Sequence, residues 1–151
     1  MHCRRSLSLS SSCWIYFGAG VIINDMGLEG TIDRLLRDVL QPIAATLYPL
    51  EGRRLDKHHS FVVQYTSSGD RALDMHTDDS DVTFNVCLGK QFKASTLTFC
   101  GVLGAAMHRQ LSAVYEHVKG QCCLHLGRHR HGADELRDGE RLNLIVWSWA
   151  E

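Results

Sequence analysis

Between Leu28 and Leu47 apolar residues recur at Ile32, Leu35, Leu36, Val39, Leu40 and Ile43, the three-and-four spacing that gives a helix one buried face. Thr31 or Asn24 is suited to cap its start, because a short polar side chain can accept from the free amides of a first turn. Pro42 falls inside the run; lacking an amide donor, it is expected to kink or divide the helix. After Pro49 the pattern changes. FVVQY (61–65), VTFNVCL (82–88), STLTFC (95–100), AVYEHV (113–118), QCCLHL (121–126) and RLNLIVW (141–147) are short β-branched or aromatic runs separated by glycine-bearing turns, and each reads as a strand. Strands at this spacing predict a mainly β chain, a sandwich or barrel. With the helix laid on one sheet, the expected class is α+β with a jelly-roll core.

Composition narrows the picture without changing it. A chain of 151 residues with 44% apolar and 22% charged residues can bury one ordinary core, so one domain is expected over residues 21–151. Residues 1–20 are rich in serine, carry two arginines and have no acid. They are set apart as a leader, either disordered or a targeting segment. With 16 basic against 17 acidic residues and no block of five like charges, electrostatic capture of nucleic acid or of an anionic membrane has little support. No stretch reaches the ~18 apolar residues of a spanning helix. Six cysteines lie mostly within apolar runs and form no CxxC pair, which suits a reducing compartment. The expectation is an intracellular, cytoplasmic protein. The pattern gives no oligomeric state.

The candidate chemistry sits where the pattern becomes most polar. In RALDMHTDDSDVTFNV (71–86) a histidine and several carboxylates abut an alternating apolar segment. If this stretch is extended, His76 and Asp78 project to one side, roughly 7 Å apart along the backbone, while Asp79 and Asp81 point the other way. The latter two are assigned to solvent or a turn, or to orienting a histidine from behind. One imidazole and one carboxylate suit a divalent cation, and two histidines with one carboxylate make the facial set of non-haem iron(II) oxygenases. That set needs a second, distant histidine. LHLGRHRHGADELRDGERLNLIVW (124–147) offers His125, His129 and His131, then Arg141 at the start of an apolar strand. Arg141 and Asn143 share one face of that strand; Leu142, Leu144 and Val146 share the other. An inward arginine is costly unless it meets an anion, whether a ligand's carboxylate or that of Asp134 or Glu135.

RRLDKHHSFVVQY, FNVCLGK, GQCCLHLGRHRHGA and GERLNLIVW together resemble the iron(II)- and 2-oxoglutarate-dependent dioxygenases, and among them the prolyl 4-hydroxylase-like domain. The resemblance runs from about Val21 to Trp147. It implies a double-stranded β-helix, iron(II) as cofactor, 2-oxoglutarate as co-substrate and L-ascorbate as reductant. Carried over residue by residue, it puts the metal ligands at His76, Asp78 and His131, ten positions before the co-substrate arginine, Arg141. Tyr65 takes the position of a tyrosine that hydrogen-bonds the co-substrate carboxylate, and Asn143 that of a further polar contact. Leu73 stands where many prolyl hydroxylases have a tyrosine. The activity implied is hydroxylation of a C–H bond in a protein or small-molecule substrate, coupled to conversion of 2-oxoglutarate to succinate and carbon dioxide. Two other readings stay open: a non-catalytic jelly-roll module, the remnant of a truncated oxygenase, that binds metal structurally or not at all, and a zinc hydrolase using the same three ligands.

Overall fold

The computed structural model describes residues 20–110 and 113–151. The sequence-level leader, apart from Gly20, lies outside the described residues. Two antiparallel sheets face one another. The larger runs in the order β1 (Gly20–Ile22), β2 (Lys57–Thr66), β10 (Leu136–Trp149), β4 (Val82–Gly89), β8 (Cys122–Leu126), with β5 (Phe92–Ala94) paired to the first part of β10. The smaller runs β3 (Leu73–His76), β9 (His129–Ala133), β6 (Leu97–Val102), β7 (Ala113–Tyr115). The described chain is thus mainly β, with one helical segment.

That segment packs on the outer face of the larger sheet. Ile32, Leu36, Leu40 and Ala44 form one core with Leu55, Val82, Phe84 and Val146. The helix is not divided at Pro42. Instead α1 (Glu29–Leu35) continues through a wider π turn at Leu36–Leu40 into α2 (Gln41–Leu47), whose first turn holds the proline. The Gln41 amide reaches back five residues to the Leu36 carbonyl, so the ladder loosens just before the residue that cannot donate. Neither proposed cap is used. Leu28 occupies the N-cap without a side-chain bond, because Asn24 lies in a short 3₁₀ turn that Gly27 closes with a left-handed φ of 70°.

Between the sheets lies a second core of Phe61, Val63, Tyr65, Leu97, Phe99, Ala133, Leu136 and Ile145. Strand β10 serves both cores by alternation: Val146 faces the helix and Ile145 faces the smaller sheet. The bend that lets β10 leave β5 and join β2 and β4 passes through Gly139, at φ 86°, where a Cβ would overlap the Gln91 carbonyl. All six strands expected from the sequence exist, the one at 113–118 shortened to Ala113–Tyr115. Strands β1, β3, β5 and β9 are not among the six that the apolar pattern picks out. The last of these, HRHGA, lacks an apolar alternation because its inward positions carry polar chemistry instead.

Candidate functional site

The pocket between the sheets is lined by side chains from β2, β3, β4, β9 and β10 and includes His76, Asp78, Thr83, His131, Arg141 and Asn143. His76 ends β3 and pairs in register with His131 of β9. Asp78 is not in an extended strand, as the alternation argument required; β3 stops at His76 and Asp78 reaches inward from the loop that follows. Its amide donates to the Gly127 carbonyl at 2.9 Å, and the Gly127 amide donates to the Asp81 carbonyl at 3.2 Å. The loop can press this close because Gly127 has no side chain: a Cβ there would overlap the Ser80 carbonyl.

The three groups converge. His76 Nε2 is 3.5 Å and His131 Nε2 3.7 Å from Asp78 Oδ1, and one ligand atom from each of the three lies within 4.8 Å of the others. Two donors bonded at ~2.1 Å to one ion are roughly 3 to 3.4 Å apart, so small adjustments let all three meet a cation. The atoms behind them fix which nitrogen faces inward. His76 Nδ1 donates to the Asp74 carbonyl at 2.7 Å and His131 Nδ1 to the His129 carbonyl at 2.9 Å, which leaves both Nε2 lone pairs free. The Thr83 hydroxyl donates to Asp78 Oδ2 at 2.6 Å.

Burial works to raise the Asp78 carboxyl, but bonding to His76, the charges of His131 and His125, and the Thr83 hydroxyl outweigh it and hold it below the ordinary range. Desolvation also opposes charge on His76, whose contacts with Asp78 and the Asp74 carbonyl leave it net raised. His131 is lowered, chiefly by burial. The set is two imidazoles around an ionised carboxylate, and with the imidazoles neutral it is a donor set for a borderline divalent metal.

Arg141 forms the other end of the pocket. It is only 1% exposed, yet no carboxylate pairs with it among the described residues. Asp134 accepts the Thr96 and Thr98 hydroxyls and Glu135 pairs with Arg71, so the internal partners considered from sequence are engaged elsewhere. Arg141 Nη1 donates to the Ser95 carbonyl at 2.6 Å, its Cζ lies 4.5 Å above the Tyr65 ring, and its Nε has no hydrogen-bond partner. Burial lowers its pKa, and burial likewise raises that of Tyr65. Tyr65 sits opposite Arg141 in the β2–β10 register. Asn143 lies on the same face, its amide donating to Asn85 at 2.5 Å and standing 3.3 Å from His117 Nδ1, while its own Oδ1 is unpaired. Burial, then the nearby Arg141 charge, pushes His117 down to about 3.

The other candidates separate cleanly. Asp79 is exposed and Asp81 accepts the Ala150 amide at 3.1 Å. His129 Nε2 is bonded to the Cys100 carbonyl at 2.7 Å. His125 packs against His131 but stands outside the three-ligand group. Sequence reasoning missed Thr83 and Asn85. The signal was present in VTFNVCL, where polar residues alternate with apolar ones on a strand whose two faces are both covered.

No family model matches the chain. Among curated proteins it is 42% identical over 134 residues to the 2-oxoglutarate and iron-dependent oxygenase domain-containing protein ICU11 of Arabidopsis thaliana, covering 85% of this chain and 34% of that protein. It is 43% identical over 130 residues to the 2-oxoglutarate and iron-dependent oxygenase domain-containing protein 2 of Homo sapiens, covering 85% of this chain and 37% of that one. The chain is a relative of the 2-oxoglutarate and iron-dependent oxygenase domain-containing proteins. It spans about a third of their length. Solved structures show where this oxygenase-like region gets its shape. A 2OG-Fe(II) oxygenase-family oxidoreductase from Burkholderia pseudomallei superposes with TM-score 0.61 at 19% identity, over 80% of this chain and 57% of that one. A prolyl-4-hydroxylase from Pseudomonas putida gives 0.56 at 17% identity, over 76% and 58%. The fold is therefore that of the 2OG-Fe(II) oxygenases. No helix among the described residues is long and apolar enough to cross a membrane.

Proposed function

We propose that this chain carries the centre of an iron(II)- and 2-oxoglutarate-dependent dioxygenase, its two sheets forming a double-stranded β-helix. The observation that carries this reading is a pocket with a cation site at one end, His76, Asp78 and His131, and a buried, anion-free guanidinium, Arg141, at the other. A dicarboxylate that also binds metal would satisfy both. When bound, iron(II) and 2-oxoglutarate supply oxidation of a substrate C–H bond by dioxygen, with 2-oxoglutarate converted to succinate and carbon dioxide. The chain's own residues hold and orient. His76, Asp78 and His131 would hold the cation through two imidazole nitrogens and one carboxylate oxygen. Arg141 offers its unpaired Nε–H to a carboxylate, an interaction roughly twice as strong as a neutral hydrogen bond. Tyr65 stacks beneath the guanidinium and sets its plane, and Asn143 Oδ1 supplies a nearby acceptor. Phe61, Val63, Leu73, Ile145 and Trp147 line the pocket with apolar surface, which keeps bulk water from the reacting groups. The substrate is a C–H-bearing group on a protein or small molecule.

The test is turnover. Purified protein with iron(II), 2-oxoglutarate and ascorbate is expected to release succinate, and His76→Ala to abolish that release. Protein that binds the metal but neither binds nor consumes 2-oxoglutarate would instead be the non-catalytic module.

A further inference from the structure

Several buried polar atoms have no hydrogen-bond partner among the described residues, among them His117 Nε2, Trp147 Nε1 and His125 Nε2. His125 is the one that abuts the triad. It is 2% exposed and lies on β8 opposite Thr83 of β4, so adjacent strands bring both side chains to the same oxygen. The Thr83 hydroxyl is bonded to Asp78 Oδ2, and His125 Nε2 stands 3.8 Å from that atom. Its ring packs on His131 with centroids 4.4 Å apart and meets Phe99 edge-on at 5.2 Å, which leaves little freedom to turn elsewhere.

A neutral imidazole has one proton, and two acceptors compete for that of His125: the Leu126 carbonyl, 3.1 Å from Nδ1 and farther than the carbonyls that hold the Nδ1–H form of His76 and His131 at 2.7 and 2.9 Å, and the Asp78 carboxylate, 3.8 Å from Nε2. The charged acceptor forms the stronger bond. Closing by about 0.6 Å brings Nε2 to the long end of the N–H···O range, ~3.2 Å.

We propose that His125 is a positioning residue of the metal centre, the second donor after Thr83 to the outer oxygen of Asp78, so that the carboxylate offers Oδ1 alone to the cation. This rests on His76, Asp78 and His131 being the metal site. Two donors on Oδ2 would oppose a swing of the carboxylate that brings both oxygens to the ion. The His125 ring also backs His131, so its loss loosens two of the three ligands together.

The test uses the full chain, freed of metal and titrated with cobalt(II), read by calorimetry and by the visible absorption of the bound ion. Partners standing behind metal ligands typically contribute roughly 10- to 100-fold to affinity. His125→Phe, which keeps the ring packing and removes the donor, is expected to weaken cobalt(II) binding in that range and to change the absorption band. His125→Gln, which places an N–H near the Nε2 position, is expected to restore most of both. His125→Asn, too short to reach Asp78, should behave like the phenylalanine variant, and serves in its place if that variant does not melt cooperatively. Wild-type affinity and spectrum in His125→Phe, or equal loss in the Phe and Gln variants, would overturn the inference while leaving the metal site standing. Wild-type protein that binds no cobalt(II) would overturn the site and the inference together.

Discussion

The two ends of the pocket are built on opposite logic. At the triad, each side chain is tied from behind: His76 to a carbonyl, His131 to a carbonyl, Asp78 to Thr83. The inward atoms are held in place with their lone pairs free. At Arg141 the guanidinium is held by the Ser95 carbonyl and the Tyr65 ring, its Nε has no partner, and no carboxylate pairs with the buried cation among the described residues. Under the proposed function, the first end would receive a cation and the second an anion. A buried positive charge without a counterion is a standing cost to the unliganded fold, and a fold keeps such a charge where a ligand repays it.

The sharpest way to break this contrast is to remove one charge at each end. Asp78→Ala takes the only anion from the triad and is expected to lower iron(II) or manganese(II) affinity by more than about 100-fold, beyond the effect of a partner standing behind a ligand. Calorimetric titration of the metal-free protein checks it. Arg141→Met should leave metal binding intact, weaken 2-oxoglutarate binding to the metal-loaded protein by about 2–3 kcal/mol, roughly 30- to 150-fold, and raise the melting temperature of the unliganded protein because an unpaired buried charge is gone. A lower melting temperature would mean that Arg141 is a structural residue. Thr83→Val probes the support of the triad; a loss of about 10-fold in metal affinity is expected, with 2-oxoglutarate binding at saturating metal unchanged.

The smallest effect concerns the polar wall beside Arg141. His117 is held neutral, its pKa pushed down to about 3 by burial and then by Arg141, whereas in the unfolded chain it titrates near 6.5. Between those values the unfolded state takes a proton that the folded state refuses, so stability is full above pH 6.5 and falls as pH drops toward 3. One such group contributes at most ~1.4 kcal/mol per pH unit. His117→Gln should flatten the pH dependence of urea unfolding over that window, and an unchanged slope would show that His117 is protonated in the folded protein.

How much of this was legible before folding differs element by element. The six apolar strands and the amphipathic helix follow from side-chain period alone, because burial selects for it. Strands β3 and β9 gave no apolar pattern for the same reason inverted: His76 and His131 occupy inward positions of LDMH and HRHGA where an apolar residue would have marked a strand. The helix caps failed because backbone turns at Ile23 and Gly27, and not a side chain, satisfy the entry. At Pro42 the chain widened one turn and kept the helix, since its buried stripe from Ile32 to Ala44 rewards continuity.

The sequence by itself determined which residue types are available: a histidine and a carboxylate two apart, a cluster of histidines, and an arginine ten residues after one of them. Local pattern and resemblance singled out His131 and Arg141. Only the tertiary structure decided which atoms face one another. Whether Asp134 or Glu135 neutralises Arg141, whether His129 is free or bonded to a carbonyl, and whether His125 and Thr83 stand behind Asp78 all depend on pairings between strands far apart in the chain. Hydrogen bonds and ion pairs act over a few ångströms of space, and a chain's order does not record those distances until the sheets close.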